Sequence, residues 1–256
     1  MMRLRITSIP NLIVFLKRLK AVEKSVILEI TGDRIFCKVH TPDKATMKYS
    51  SVELDKVFET DFDWNSIKHD RVKIGLNDVT RLMEAFKHFR PEEEVNLELD
   101  VASVDDSSVS TELRLVSPSL TIRLRCSDLT MLSYVEDKIL SMVHSKDDCL
   151  VNFKMYQSDF TTIASLCGME SDNQEILCFE IEEKTAHAVG NSFNYKLNIG
   201  SSEIILDDSE KEIANIYKSQ LGYMESESCD VYVHDNRLVL FSEQSATSIA
   251  IGLVEK

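Results

Sequence analysis

Glycine and proline are scarce, with 7 and 4 in 256 residues. This excludes a collagen-like repeat and argues against a long disordered linker. The few glycines never fall into the G-x-G-x-x-G or G-x-x-x-x-G-K spacing that cradles phosphates. Neither H-E-x-x-H nor G-x-S-x-G occurs, so the usual marks of a hydrolase are missing. The six cysteines (37, 126, 149, 167, 178 and 229) form no C-x-x-C pair and lack histidines at ligand spacing. The expectation is reduced, mostly buried thiols, with no metal and no cofactor. Long hydrophobic runs are absent too. The best, Leu12 to Leu16, is stopped by Lys17 and Arg18 and is followed by no small-residue cleavage site, so neither a membrane span nor a secretory signal is expected.

Positive charge is also in short supply. Lys and Arg number 29 against 43 Asp and Glu, a formal net charge of −14, which at first sight opposes a partner as acidic as nucleic acid. The imbalance is not uniform, however. Through Ser127 the count is 20 bases against 20 acids; from Asp128 onward it is 9 against 23. A chain of this length makes one large domain or two ordinary ones, and the asymmetry points to two, of which the neutral one can still meet a polyanion.

One pattern recurs four times along the chain. A short alternating strand, Arg3 to Thr7, precedes a helix opened by Ser8 and Pro10, with Leu12, Phe15, Leu16, Leu19 and Val22 on one face. Strands follow over 26–31, 34–41 and 46–54, the first two joined by a Gly32-Asp33 turn. The second copy has a strand over 72–76, then a helix capped by Asn77 or Asp78 with the stripe Val79, Leu82, Met83, Phe86. Strands over 95–102, 111–117 and 120–126 complete it. A third copy starts at Cys149, with a strand over 150–156 and a helix from Ser158 carrying Phe160, Ile163, Ala164 and Cys167. Its three strands are 175–182, 185–190 and 194–200. The fourth is expected from Glu203: a strand over 203–206, a helix starting at Asp207–Glu210 with Ile213, Ile216 and Tyr217 inward, then strands over 229–234, 237–242 and 247–254. Residues 128–148 separate the two pairs and read as a linker whose apolar residues also suit a short helix. The expected domains are 1–127 and 149–256, joined by 128–148.

Two strand-helix-three-strand units per domain, exemplified by VKIGLNDVTRLMEAFKHF at 72–89 followed by alternating strands, resemble the DNA sliding clamp family, of the proliferating cell nuclear antigen (PCNA) type and its phage T4-like relatives. The resemblance covers nearly the whole chain but carries no short diagnostic motif. It implies an α+β fold with helices on one face of antiparallel sheets, and a ring of three two-domain protomers around duplex DNA. It further implies a non-enzymatic polymerase processivity factor, loaded by a separate ATP-driven clamp loader, inside a cell and, given the divergence, of viral or phage source. The alternatives are a clamp-like adaptor in transcription or checkpoint signalling, in a heteromeric ring, and an α+β enzyme with an unrecognised site.

Helix faces lining such a hole must carry positive charge. Opposite the apolar stripes, the first two helices present Lys17, Lys24, Arg81 and His88, flanked by Arg18, Lys20, Lys87 and Arg90; the fourth presents Lys211 and Lys218. These opposite faces hold five Lys or Arg against one acid, Glu84, the inverse of the whole chain. Lysines on a wet helix face are usually plain solvation, and agreement between helices is what raises them above that. The third helix presents only Thr162, Ser165 and Met169. The resemblance also implies a peptide-docking pocket, which by position takes Leu129, Met131, Leu132 and Tyr134 from the linker and Ile251, Leu253 and Val254 from the tail; the same residues equally suit plain packing. Ring-closing edge strands are expected near 109–117 and 185–192. Trp64, the only tryptophan, sits in a polar loop, either packed or a contact.

Overall fold

A computed structural model describes residues 1–104, 107–147, 149–168, 176–182, 185–190, 196–204, 212–221, 228–243 and 246–254. The chain divides into two compact units. Unit 1 comprises Met1–His40 and Tyr49–Val135; unit 2 comprises Thr41–Lys48 and Glu136–Lys256.

Strand β1 (Met2–Ile6) leads into α1 (Ile9–Lys20). Ser8 stays extended and its hydroxyl accepts from the Asn11 N–H at 3.3 Å, while Pro10 occupies the first turn, where no backbone donor is needed. The i, i+3, i+4 spacing buries Leu12, Phe15, Leu16 and Leu19, each contributing about 1.5–3 kcal/mol. Lys17, Arg18 and Lys20 fill the last turn, where the helix dipole favours cations. Then come β2 (Val26–Thr31), β3 (Arg34–His40), β4 (Thr46–Glu53), β5 (Phe58–Glu59) and β6 (Arg71–Leu76). Asp78 caps α2 (Val79–Phe86) by accepting from the Thr80 N–H at 2.8 Å. Strands β7 (Asn96–Val104), β8 (Ser107–Val116) and β9 (Thr121–Arg125) follow.

Unit 2 opens with α3 (Asp137–Val143), the short helix the linker composition allows. It continues with β10 (Val151–Met155), α4 (Gln157–Gly168), β11 (Ile176–Glu182), β12 (Thr185–Gly190) and β13 (Lys196–Ile204). Strand β14 (Glu212–Tyr217), the one-turn α5 (Lys218–Leu221), β15 (Cys229–Val233), β16 (Arg237–Ser242) and β17 (Thr247–Gly252) end the chain.

The pairing plan of the two units is the same. β1 runs antiparallel to β7, with Met2 opposite Leu99, as β10 does to β15, with Val151 opposite Val233. β7–β8–β9 is an antiparallel meander, as is β15–β16–β17. β2 lies between β3 and β6 as β11 lies between β12 and β14. The strand pairing of unit 1 therefore recurs in unit 2. In unit 2, Phe153, Phe179, Val231, Leu240 and Ile249 lie in one buried cluster.

Two expectations are corrected. Residues 212–217 are strand β14, not a helix, so the fourth copy begins there; Lys218 opens a single helical turn, and Lys211 with Asp207–Glu210 lies outside the described residues. Glu203 and Ile204 instead finish β13, whose end pairs with β10. The expected ring-closing edges are interior strands: β8 is flanked by β7 on one side and by β9 and β6 on the other, and β12 by β11 and β13. The outer strand of unit 1's meander is β9.

Cys37, Cys149, Cys178 and Cys229 are buried, and Cys126 is half-buried. Burial pushes the Cys37 and Cys229 thiols far up, so they stay protonated. No helix among the described residues is long and apolar enough to cross a membrane.

Candidate functional site

Helices α1 and α2 pack side by side in unit 1. Because each turns its apolar stripe to the sheets, their polar faces form one surface. On it Lys17, Lys20, Lys24, Arg81, Lys87, His88 and Arg90 are exposed, and Arg18 is half-buried. The acids nearby are engaged locally. Glu84 pairs with Lys87 at 2.7 Å, and Glu23 accepts from the N–H groups of Lys24 and Ser25 at 2.7 and 3.0 Å. Asp78, at the start of α2, is spent as its cap, and the bonds from Thr80 hold its carboxyl below the usual range. The surface so formed is cationic and suited to a repeating line of phosphates.

The corresponding helix in unit 2 differs. On α4, Phe160 and Ile163 are buried, while Thr161, Thr162, Ala164 and Ser165 are exposed and uncharged. The hydroxyls of Thr161 and Thr162 donate to the carbonyls four residues back, at 2.9 and 2.8 Å, and so are spent on the helix itself.

The linker is fastened to unit 1 at Gly75 and at Tyr134. The Ser127 N–H donates to the Gly75 carbonyl at 2.8 Å. A Cβ on Gly75 would stand 2.4 Å from the Ser127 carbonyl and 3.1 Å from both Leu129 and Leu132, so only glycine lets the linker cross β6 this closely. Farther along, the Tyr134 hydroxyl accepts from Lys38 Nζ at 3.1 Å, and its ring lies 4.6 Å from that ammonium and 4.7 Å from Lys73 Nζ. Lys38 is 1% exposed and neutralised by the equally buried Glu29 at 2.9 Å; the other oxygen of Glu29 takes Arg71 at 2.7 Å. Leu129 and Leu132 are thus half-buried against the sheet, while Met131 stands 81% exposed.

In unit 2, His144 ends α3 with Nδ1 2.6 Å from the Ser248 hydroxyl, and Arg237 donates to the Val143 carbonyl at 3.0 Å. Burial lowers the His144 pKa from 6.5 to about 4. Of the tail residues expected in a pocket, Ile251 is corrected: it is fully buried in the unit 2 core, opposite Leu238, and cannot offer a surface. Leu253 and Val254 are half-buried beyond it, tied by backbone bonds to Asn236 and Asn215. Gly252 donates to the Ala45 carbonyl at 2.8 Å, so 41–48 packs with the tail.

No protein-family model matches the chain, and no curated protein matches it by sequence. Solved structures do. A PCNA2–PCNA3 complex from Sulfolobus tokodaii superposes with a TM-score of 0.68 at 12% identity, over 98% of this chain and 99% of that one. PCNA from Entamoeba histolytica gives 0.67 at 12% identity, over 100% and 98%. A. fulgidus PCNA, in a structure with the C-terminal region of FEN-1, gives 0.65 at 12% identity over the full length of both. The chain has the sliding-clamp fold.

The clamp fold explains what local sequence patterns leave unread. Gly75, a lone glycine inside the strand pattern VKIGL, is the residue over which the linker crosses, and an isolated strand glycine is itself a signal of close backbone approach. Lys38 and Lys73 left no such signal. Their partner Tyr134 is some sixty to a hundred residues downstream, and alternation alone does not tell a buried lysine from a wet one. Among the described residues, no group of three or more His, Cys, Asp or Glu is arranged to hold a metal.

Proposed function

We propose that this chain is a non-enzymatic sliding clamp, a processivity factor that encircles duplex DNA and tethers a polymerase and other replication proteins to it. The observation that carries this reading is the paired basic faces of α1 and α2, in a clamp-fold chain whose net charge is −14. Exposed cations meeting phosphates give a weak, salt-sensitive, sequence-independent contact, which is what sliding requires. Lys17, Arg18, Lys20, Lys24, Arg81, Lys87, His88 and Arg90 are the proposed DNA contacts. An acidic remainder repels DNA from other approaches.

Three copies make the ring in this reading, with the outer edge of β9 continued by a strand of the next copy. Support comes from β9 itself: it pairs with β8 on one side, and its residues alternate between half-buried Ile122 and Leu124 and exposed Thr121, Arg123 and Arg125. With no phosphate-cradling loop in the sequence, opening such a ring needs a separate ATP-driven loader. The connector 128–148, with Leu129, Met131, Leu132 and Tyr134, and the tail residues Leu253 and Val254 are each proposed to meet partner peptides. The two are tested separately by Met131→Ala and by truncation after Gly252.

The deciding experiment is retention on nicked circular DNA compared with the same DNA linearised. A topological tether stays on the circle and runs off the line; equal loss from both removes the reading. The second reading is a heteromeric ring serving as an adaptor, and the uncharged face of α4 favours it. Solution mass separates the two: about three times 29.2 kDa for the chain alone supports the homotrimer, and a persistent monomer supports the heteromer.

A further inference from the structure

A cleft of about 900 Å³ opens in unit 1 between the β2–β3 turn, the end of β4 and the segment after β5. One side is aromatic. Phe58, Phe62 and Trp64 line it, with the Phe62 and Trp64 rings edge to face at 5.4 Å and 82°. Trp64 lies across the turn at Gly32, where a Cβ would come within 3.2 Å of the indole Cδ1; the missing side chain makes room for the ring. The lining also holds Asp33, Glu53, Asp55, Glu59 and Asp61, beside Thr7, Gly32, Leu54 and Thr60, and no Lys, Arg or His.

These carboxylates are not equivalent. Asp33, Glu53 and Glu59 pair with Arg34, Lys56 and Arg5, all in exposed contacts that exchange readily with solvent. Asp55 and Asp61 are exposed and make no ion pair or hydrogen bond among the described residues. An indole in one cleft with exposed carboxylates attracts a guanidinium or ammonium by two additive effects, the ring quadrupole and direct charge pairing. The same charge repels nucleic acid. The volume exceeds that of one side chain and suits a short stretch of extended peptide.

We propose that this cleft docks an arginine- or lysine-bearing segment of a protein partner, separately from the cationic helix surface assigned to DNA. The site would let a basic partner approach the chain without competing for the surface that meets phosphate.

The test uses the full-length chain, whose single tryptophan is the reporter. Tetra-arginine amide is titrated while Trp64 emission is followed, with isothermal calorimetry in parallel and tetra-glutamate as the opposite-charge probe. The expected result is a saturable change with tetra-arginine and none with tetra-glutamate. The D55N/D61N variant, isosteric and confined to exposed positions, should bind at least fivefold more weakly. The E92Q/E94Q variant removes the same charge at exposed positions outside the cleft and should stay within twofold of the parent. Three results overturn the proposal: equal binding by D55N/D61N and the parent, heat of binding with no response from Trp64, or no binding at all. A saturable response to magnesium or calcium chloride that displaces the peptide also overturns it, in favour of a divalent-ion site.

Discussion

The two units share one pairing plan and differ in what they show to solvent. In unit 1 the helix surface carries exposed lysines and arginines over buried apolar stripes; on α4 of unit 2 the same position in the plan carries threonine, alanine and serine. The strands repeat because antiparallel register and the burial of one sheet face tolerate few alternatives. The wet face of a helix is under no such constraint, so its charge is free to follow function. In the proposed clamp, the work of meeting DNA therefore falls to unit 1.

The sharpest way to break that comparison is charge reversal. Lys17→Glu, Lys20→Glu and Arg81→Glu together should shorten residence on circular DNA by at least about tenfold and lower the salt slope of binding by about 3, one for each phosphate left without its cation. Thr162→Glu with Ser165→Glu on α4 should change residence by less than about threefold. Equal effects from the two sets, measured by retention at several salt concentrations, would erase the asymmetry. The next effect is on stability. Lys38→Met leaves Glu29 buried beside Arg71 alone and should cost about 3–5 kcal/mol in urea unfolding. It should also raise protease cleavage within 128–135, because Tyr134 loses its hydrogen bond.

A glycine in each unit sharpens the comparison further. Gly75→Ala should destabilise by about 1–3 kcal/mol, since the new Cβ meets a backbone carbonyl. Gly252→Ala in unit 2 meets its nearest atom, the Ala45 carbonyl, at an ordinary 3.5 Å and should cost little; thermal melts of the pair measure the contrast. The smallest effects concern pH. His144 is neutral when folded, with its pKa lowered to about 4, so its contribution is complete above 6.5 and is lost as the pH falls toward 4. His144→Asn should flatten the stability profile over that window. In unit 1 the Asp78 cap, also depressed, contributes above the ordinary carboxylate range and is lost below it; Asp78→Ala should cost about 1 kcal/mol at neutral pH and less in acid.

Much of the fold was legible because its signals are local. Ser8, Pro10 and the Leu12–Leu19 stripe define α1 within a dozen residues, and the alternation from Val95 to Val101 marks a strand with one wet face. The fourth copy was misread for an equally physical reason. Ile213, Ile216 and Tyr217 match a helical period, yet the buried apolar residues are Ala214 and Ile216 at strand spacing, and Ile213 and Tyr217 are 40% exposed. What makes 212–217 a strand is its partner β11, over thirty residues earlier. The edge assignments failed for the same reason, since periodicity shows that a strand exists without showing how many neighbours it has.

The sequence by itself determined the strand-helix-three-strand repeat, the buried helix stripes, the absence of a phosphate-cradling loop and the confinement of excess acid to the second half. Each follows from composition or from spacing within one element. Only the tertiary structure decided that α1 and α2 lie side by side so that their cations form one surface, that Lys38 holds Tyr134 of the linker, that Ile251 is core, and that Trp64 and five carboxylates line one cleft. These are relations between residues far apart in the chain, set by strand pairing and packing, and no local pattern encodes them.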